Sequence, residues 1–302
     1  MQTSRADVAD LIYFLAIARH RSFSRAAVEI GVSASAVSHA LKGLESRLGV
    51  RLLNRTTKSV TLTTAGEALA QTIGTPFEVI DTALETLNRF RDAPAGRIRI
   101  NVAVEAANLL LAPVLPTFME RYPDVEIDIV ASNRLVDVTD AGFDAGIRYG
   151  GTVPEDMVAQ RLSADIRWVV VGAPTYLDRF GSPEHPDDLL HHRCISNRLG
   201  DDRIYRWELE NSGDALQISV PVSVTVDQAQ TGLIAVLGGA GLMYFPEPLV
   251  EPYLRDGRLR LVLSDWASFG EGFHIYYSSR RQLPTGLRLL IEVIREIRPL
   301  GL

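Results

Sequence analysis

The segment Ser33-Ala34-Ser35-Ala36-Val37-Ser38-His39-Ala40-Leu41-Lys42 holds several side chains that could act together. On a helix, Ser35, Ser38, His39 and Lys42 share one face, because they recur at intervals of three to four residues. Hydroxyls and an imidazole can hydrogen-bond base edges, and a lysine suits a phosphate. The opposite positions, Val37, Leu41, Leu44 and Leu48, are apolar at helical spacing and must meet a core. Ser33 stands where it can cap the helix. With Ala34 and Ser35 it gives a small N-terminal end that allows close approach to a groove.

These residues need a scaffold, and the flanking sequence supplies one. Leu11, Phe14, Leu15 and Ala18 form an amphipathic stripe. Ser22 is placed as a cap, and Ala26, Ala27 and Ile30 give a second helix a short buried face. Gly31 supplies the turn between the helices. Two helices around a tight glycine turn make a helix-turn-helix, with a plain helical hairpin as the alternative. Val50 to Leu53 and Val60 to Thr63 read as two short strands around the basic turn Arg55, Thr56, Thr57 and Lys58. That is a wing, whose Arg55, Thr56 and Lys58 suit phosphate or the minor groove.

Charge follows the same division. The 302-residue chain has a net charge of -6, yet residues 1–66 hold 9 basic and 4 acidic residues, leaving 22 against 33 for the rest. A basic module on an acidic partner domain points to nucleic acid for the first part only. At 46% hydrophobic and 23% charged, the composition is that of a globular chain of two or three domains. No apolar run is long enough for a membrane span and no secretory leader is visible, so a cytoplasmic location is expected. Cys194 is the sole cysteine, expected to be a small buried hydrophobe.

Thr64 opens a helical pattern that runs to about Arg91, with Leu69, Ile73, Ile80 and Leu87 near heptad spacing. We expect a dimerisation arm, the alternative being packing on the chain's own C-terminal domain. Gly74 and Pro76 interrupt its apolar seam, and a kink at Gly74–Pro76 is a hypothesis attached to this reading. The run to Gly96 reads as a hinge. Strands and helices then alternate: strands at Ile98 to Val104, Val125 to Ala131, Ala145 to Tyr149, Trp168 to Gly172 and Leu242 to Phe245, and helices at Ala106 to Arg121, Arg134 to Ala141, Gln228 to Leu237 and Leu283 to Arg298. Such alternation predicts parallel sheets covered by helices, in two lobes over about 200 residues.

Enzyme chemistry finds little footing. There is no phosphate-binding Walker loop, no HExxH, no Gly-x-Ser-x-Gly and no paired cysteine ligands. Gly238-Gly239-Ala240-Gly241 lacks a dinucleotide spacing and reads as a helix-to-strand turn. His185, His191 and His192 lie in a Pro- and Asp-rich loop and read as surface histidines, and Arg280-Arg281 as a solvated pair. No catalytic residue, metal site or cofactor is expected.

The N-terminal 66 residues resemble the LysR-type transcriptional regulators. The resemblance rests on Phe14 to Ala18, Ser22 to Ala27, Ser35 to Ser38, Leu44-Glu45, Leu48 to Leu52, Arg55 to Thr57 and Leu62 to Gly66. It continues through "LAPVLPTFMERYPDVEIDIV", "GFDAGIRYG" and "YYSSRRQLP", so it spans nearly the whole chain. It implies an α+β multidomain chain: a winged helix-turn-helix (1–63), a dimerising linker helix (64–91), a hinge (92–96) and a two-lobed α/β effector domain (97–302) resembling periplasmic binding proteins. Lobe I would take about 97–164 and 266–302, and lobe II about 165–265. The resemblance also implies a homodimer or homotetramer on double-stranded DNA with an inverted-repeat operator, tuned by a small polar metabolite. RNA polymerase is a further candidate partner. Two departures stand out. Ala34 replaces a glutamine common at the start of the reading helix, and Glu105-Ala106-Ala107 stands where many members have a serine or threonine.

In this topology ligands sit at strand C-termini. That selects Glu105, Ala106 and Asn108 at one junction, and Arg134 and Arg148 after the next two strands. From the second lobe come Ser196, Asn197, Asp227 and, as an apolar wall, Phe245. Glu105 would repel a carboxylate unless its side chain turns away, and Arg148 is open to pairing with Asp144. Two alternatives stay open: a regulator of the same fold that senses nothing, and a solute-binding module without a DNA role.

Overall fold

A computed structural model describes residues 5–55, 59–86, 94–154, 157–278 and 283–302. The chain divides into two compact units, and along the sequence the division falls between Arg91 and Asp92.

The first unit begins with helices α1 (Arg5–His20), α2 (Phe23–Ile30) and α3 (Ala34–Leu48). Ser22 caps α2 by accepting from the Arg25 N–H, and Ser33 caps α3 by accepting from the Ala36 N–H. Gly31 ends α2 in the left-handed region at φ 76°, where a residue without Cβ is at ease. Phe14, Ala26, Ala27, Val37, Leu41 and Leu44 are buried in one core, as their spacing required; Ile17, outside the expected stripe, joins them, whereas Leu11, Leu15, Ile30 and Leu48 pack half-buried against it. Strands β1 (Leu53–Arg55) and β2 (Val60–Leu62) pair antiparallel, a shorter ladder than the sequence suggested. The Glu45 carboxylate accepts from the Leu52 and Leu53 N–H groups at 2.8 and 3.2 Å, which fixes the wing to the end of α3.

Helix α4 (Thr64–Thr86) runs on continuously past Pro76 in its interior. Pro76 removes the donor for the Thr72 carbonyl. Thr72, Thr75 and Pro76 are exposed, so water can take that donor's place. Leu69 and Ile73 pack half-buried on the core of their own domain. Val79, Ile80 and Leu84 stay exposed further along. Leu87 lies outside the described residues.

The second unit holds two sheets. Its elements are β3 (Gly96–Val102), α5 (Val104–Ala106), α6 (Leu115–Arg121), β4 (Val125–Ala131), β5 (Ala145–Tyr149) and β6 (Val158–Arg161). There follow β7 (Ile166–Gly172), α7 (Pro174–Phe180), β8 (Cys194–Asn197), β9 (Trp207–Asn211), β10 (Asp214–Ile218), β11 (Val222–Val226) and α8 (Ala229–Leu237). The chain ends with β12 (Leu242–Pro246), α9 (Glu247–Arg255), β13 (Arg260–Val262), β14 (Ser268–Gly270), β15 (Phe273–Tyr277) and α10 (Thr285–Ile297).

Lobe I is the sheet β4-β3-β5-β15-β6, and lobe II is β11-β8-β12-β7-β13 with β14 also on β7. Both are mixed rather than wholly parallel. β4-β3-β5 and β11-β8-β12 are parallel, whereas β7 and β15 run antiparallel to their partners. These reversals lie where the chain crosses between lobes without a helical return. Because β14 pairs with β7, the return to lobe I comes after Gly270, not near residue 266.

Two helical expectations need correction. Residues 134–141 are loop and turn. Val138 is buried there, its carbonyl accepts from the Phe143 N–H, and Asp137 accepts from the Thr139 N–H. Valines 136 and 138, with acidic residues bonding their own backbone, favour this over a helix. The expected helix from Ala106 to Arg121 instead passes through a π-helical stretch, Ala107–Leu111, before α6. Pro113 and Pro116 there cannot donate to regular helical bonds. The hairpin of β9 and β10 was not anticipated. Its turn, Ser212-Gly213, has positive φ at both residues.

Among the described residues no helix is long and apolar enough to cross a membrane, and no group of His, Cys, Asp or Glu could hold a metal. His185 and His192 have structural partners, the Asp187 N–H and the Tyr176 hydroxyl respectively. Cys194 is fully buried, and that burial pushes its thiol up to about 12.

Candidate functional site

The α3 surface divides as its sequence suggested. Ser33, Ala34, Ser35, His39 and Lys42 are exposed, and Ser38 is half-buried. The Ser33 and Ser35 hydroxyls lie 2.9 Å apart. Behind them Val37, Leu41 and Leu44 anchor the helix in the core. Arg47 near its end bonds Asp7 at 2.8 Å and Asp10 at 2.5 Å on α1, locking the two helices together. Arg55 closes β1, while Thr56 and Lys58 lie outside the described residues.

In the second unit a cleft of about 200 Å³ opens between the lobes. Lobe I contributes Val104, Ser132, Asn133 and Arg134, and lobe II Arg198, Gly200, Asp202, Asp227 and Gln228. Asn133 joins the two sides. Its Oδ1 accepts from the Val104 N–H at 3.1 Å, and its Nδ2 donates to the Asp227 carbonyl at 3.0 Å. Gly200 makes the approach possible, because a Cβ there would stand 2.0 Å from the Asn133 carbonyl oxygen.

The nine effector positions separate into three groups. Arg134 and Asp227 line the cleft, and Glu105 and Asn197 stand close to it in sequence and topology. Burial raises the Glu105 carboxyl above the usual carboxylate range, and the backbone at Glu105 and Ala229 offsets part of that rise. Asn197, half-buried at the end of β8, receives the Tyr205 N–H on its carbonyl.

Ala106 and Phe245 belong to the cores. Strand alternation turns Phe245 into the lobe II interior and its neighbour Tyr244 to the other face. Asn108 is exposed and does not line the cleft.

Arg148 and Ser196 are buried polar residues. Arg148 is 4% exposed and pairs with no acid among the described residues; Asp144 instead accepts from the Arg99 N–H. Its guanidinium donates to the Asn101, Ile147 and Arg134 carbonyls and to the Asn101 side chain. Desolvation lowers its pKa. It therefore braces the loop that carries Arg134 and does not itself line the cleft. Ser196 is 1% exposed, and its hydroxyl has no partner among the described residues.

Sequence reasoning missed the aromatic set beside this region. Tyr149 stacks on Phe273 at 4.5 Å and reaches Trp168 of lobe II at 5.6 Å. Trp168 lies 5.2 Å from Tyr244 and 6.3 Å from Tyr205. The Tyr149 hydroxyl is buried without a hydrogen-bond partner among the described residues. Its pKa is raised well above the usual value, first by burial and then by Glu105 and Tyr205. Aromatic residues at strand ends look like core in a sequence, so no signal separated these from their neighbours.

Known proteins share this arrangement. Residues 8–67 match the bacterial regulatory helix-turn-helix protein family of lysR type, and residues 91–298 match the LysR substrate binding domain. The chain is 38% identical to the uncharacterised HTH-type transcriptional regulator YcaN of Escherichia coli K12 over 291 residues, covering 96% of this chain and 95% of that one. It is 34% identical to the HTH-type transcriptional regulator PgrR of the same organism, covering 96% and 98%. The full-length structure of AphB, a Vibrio cholerae virulence activator of the LTTR family, superposes with a TM-score of 0.68 at 25% identity, covering 96% and 99%.

Proposed function

This chain belongs to the LysR family of bacterial transcriptional regulators, and from that premise we propose how its own residues divide the work. The family and the relatives are DNA-binding regulators with an effector-binding domain, not enzymes.

In our reading, Ser33, Ala34, Ser35, Ser38 and His39 enter the major groove at the start of α3. Lys42 meets phosphate. Arg55, Thr56 and Lys58 of the wing meet phosphate or the minor groove. The observation that carries this is the exposure of Ser35, His39 and Lys42 on a helix whose other face is locked into a core. Two copies pair through the linker helix. Ile80, with Val79 and Leu84 beside it, supports this because these large apolar side chains are 52–61% exposed on one chain. A paired protein reads an inverted repeat, with half-sites spaced by helical turns. The division is a DNA-reading domain to residue 63, a linker helix to 91, a hinge to 96 and an effector domain beyond. The effector is a small polar molecule in the interlobe cleft, bordered by Arg134 and Asp227. The protein works in the cytoplasm, with RNA polymerase as a candidate partner on the promoter.

Selection of random double-stranded oligonucleotides by the full-length chain tests this reading. Enrichment of an inverted repeat, with half-site bases that change when His39 or Ser35 is substituted, is the expected outcome. Enriched sequences indifferent to both substitutions would remove α3 as the reader.

A further inference from the structure

The charged side chains at the interlobe cleft are set unlike those elsewhere on the effector domain. Away from the cleft, exposed arginines pair with nearby acids, as in Arg161–Asp165, Arg255–Glu251, Arg258–Asp256 and Arg260–Asp178, at 2.6 to 2.8 Å. Arg134, Arg198, Asp202 and Asp227 all line the cleft, and among the described residues none of the four makes an ion pair.

Their backbones are fixed while their charged ends are left over. In lobe II the Leu199 N–H donates to the Arg203 carbonyl and the Asp202 N–H to the Leu199 carbonyl, which closes a tight turn. Within it Arg203 pairs with Asp201 at 2.6 Å. Arg198 instead donates to the Asp202 carbonyl at 3.1 Å, so the Asp202 carboxylate stays unpaired. The Asp227 carbonyl is held by Asn133 Nδ2, and its carboxylate is not. In lobe I the Arg134 N–H donates to the Ser132 hydroxyl and its carbonyl accepts from Arg148, so the loop is braced and the guanidinium is not used. Gly200 brings the two sides together, since a Cβ there would stand 2.0 Å from the Asn133 carbonyl oxygen and 2.8 Å from the Arg134 Cα. Two cations and two anions thus border one space of about 200 Å³. At about 30 Å³ per water that is room for roughly seven water-sized groups, the scale of a free amino acid. Among the described residues no aromatic ring lines it, whereas Ser132 and Gln228 add hydrogen-bonding groups.

We propose that the interlobe cleft of this regulator takes a small zwitterion of the α-amino acid class, its carboxylate on Arg134 and Arg198 and its ammonium on Asp202 and Asp227. The assignment rests on the effector-cleft reading above. A ligand with one sign of charge would satisfy two of these groups and be pressed against the other two as water leaves, and an uncompensated charge is costly once desolvated. A zwitterion meets both pairs. Its carboxylate offers two oxygens to the guanidinium forks, and its ammonium offers three N–H donors to carboxylates, which can only accept.

The common α-amino acids, each with its 2-hydroxy acid and its amide, test this, since the three forms share a skeleton and are zwitterion, anion and cation at neutral pH. Binding to the full-length protein is measured by ligand-observed NMR and by thermal stabilisation. At least one amino acid should bind, about tenfold more tightly than either of its single-charge analogues. Asp227→Asn should narrow the preference over the hydroxy acid and spare that over the amide; Arg134→Gln should do the reverse. Both side chains are exposed and unpaired, so the melting temperatures without ligand should stay at the wild-type value. A hydroxy acid or amide that binds as tightly as its amino acid, and weakens in the variants, overturns the zwitterion and leaves the cleft as an effector site. No binding by any member of the panel overturns the zwitterion as well. An amino acid that binds both variants as it binds the wild type sits elsewhere, and the effector-cleft reading then falls together with the proposal.

Discussion

Asn133→Ala should loosen the cleft in a way that separates its two hydrogen bonds. The wild-type amide satisfies the Val104 N–H within lobe I and the Asp227 carbonyl across the cleft. Each such bond contributes about 0.5–1.5 kcal/mol net. Val104 is half-buried, so its freed N–H is poorly rehydrated, whereas exposed Asp227 can recruit water. The sum is about 1–2 kcal/mol, and at about 2–4 °C per kcal/mol for a domain of this size the melting temperature should fall by about 2–8 °C. Asn133→Asp is the informative partner. It keeps an acceptor for Val104 but turns an oxygen toward the Asp227 carbonyl, so only the interlobe bond is lost. Hydrogen exchange on the full chain should show the Val104 amide deprotected in Asn133→Ala and protected in Asn133→Asp. A Val104 amide that stays protected in Asn133→Ala would refute the reasoning.

Substituting His39 or Ser35 with alanine should relax base preference by about 1–3 kcal/mol per lost contact, measured by competition among operator variants. Lys42→Ala should weaken all DNA alike and lower the salt dependence by about one counterion, read from binding against salt concentration. Ile80→Asp places a charge in the exposed apolar stretch of α4 and should shift the sedimenting species toward monomer; a wild type that sediments as a monomer at micromolar concentration would end the pairing argument. Cys194, with its thiol raised to about 12 by burial, is almost wholly protonated at pH 8. It should resist a disulfide reagent in the native protein and react once urea unfolds it; fast native reaction would contradict the buried placement.

Much of the frame was legible because periodicity and punctuation agree. Val37, Leu41 and Leu44 marked a buried helix face, Ser33 its cap and Ser22 the cap of the helix before it, and Val125–Ala131 and Ala145–Tyr149 two strands with the bounds the structure gives. The site was less legible. Phe245 and Tyr244 look equivalent until sheet pairing decides which face each takes. Arg148 looked like a ligand contact because a sequence does not show that backbone carbonyls will surround it. Asn133 is one polar residue in a loop, and its bridging role exists only because Asp227, far along the chain, comes to it.

The placement of β15 has a consequence for synthesis on the ribosome. This strand lies between β5 and β6, and Leu287, Leu290, Ile291 and Ile294 of α10 fill the core begun by Ile98 and Ile100. Lobe I is therefore incomplete until the last residues emerge, although its first strand appears some 180 residues earlier. Lobe II, running from β7 to β14, has all its strands once Gly270 is made. Translation thus reverses the spatial order. The second lobe can close first, while β3, β4 and β5 wait with an unpaired sheet edge that is open to association with other nascent chains. A stop codon just before β15 would leave a settled second lobe and a sticky, half-built first one, so truncated products of this chain should aggregate through residues 96–161.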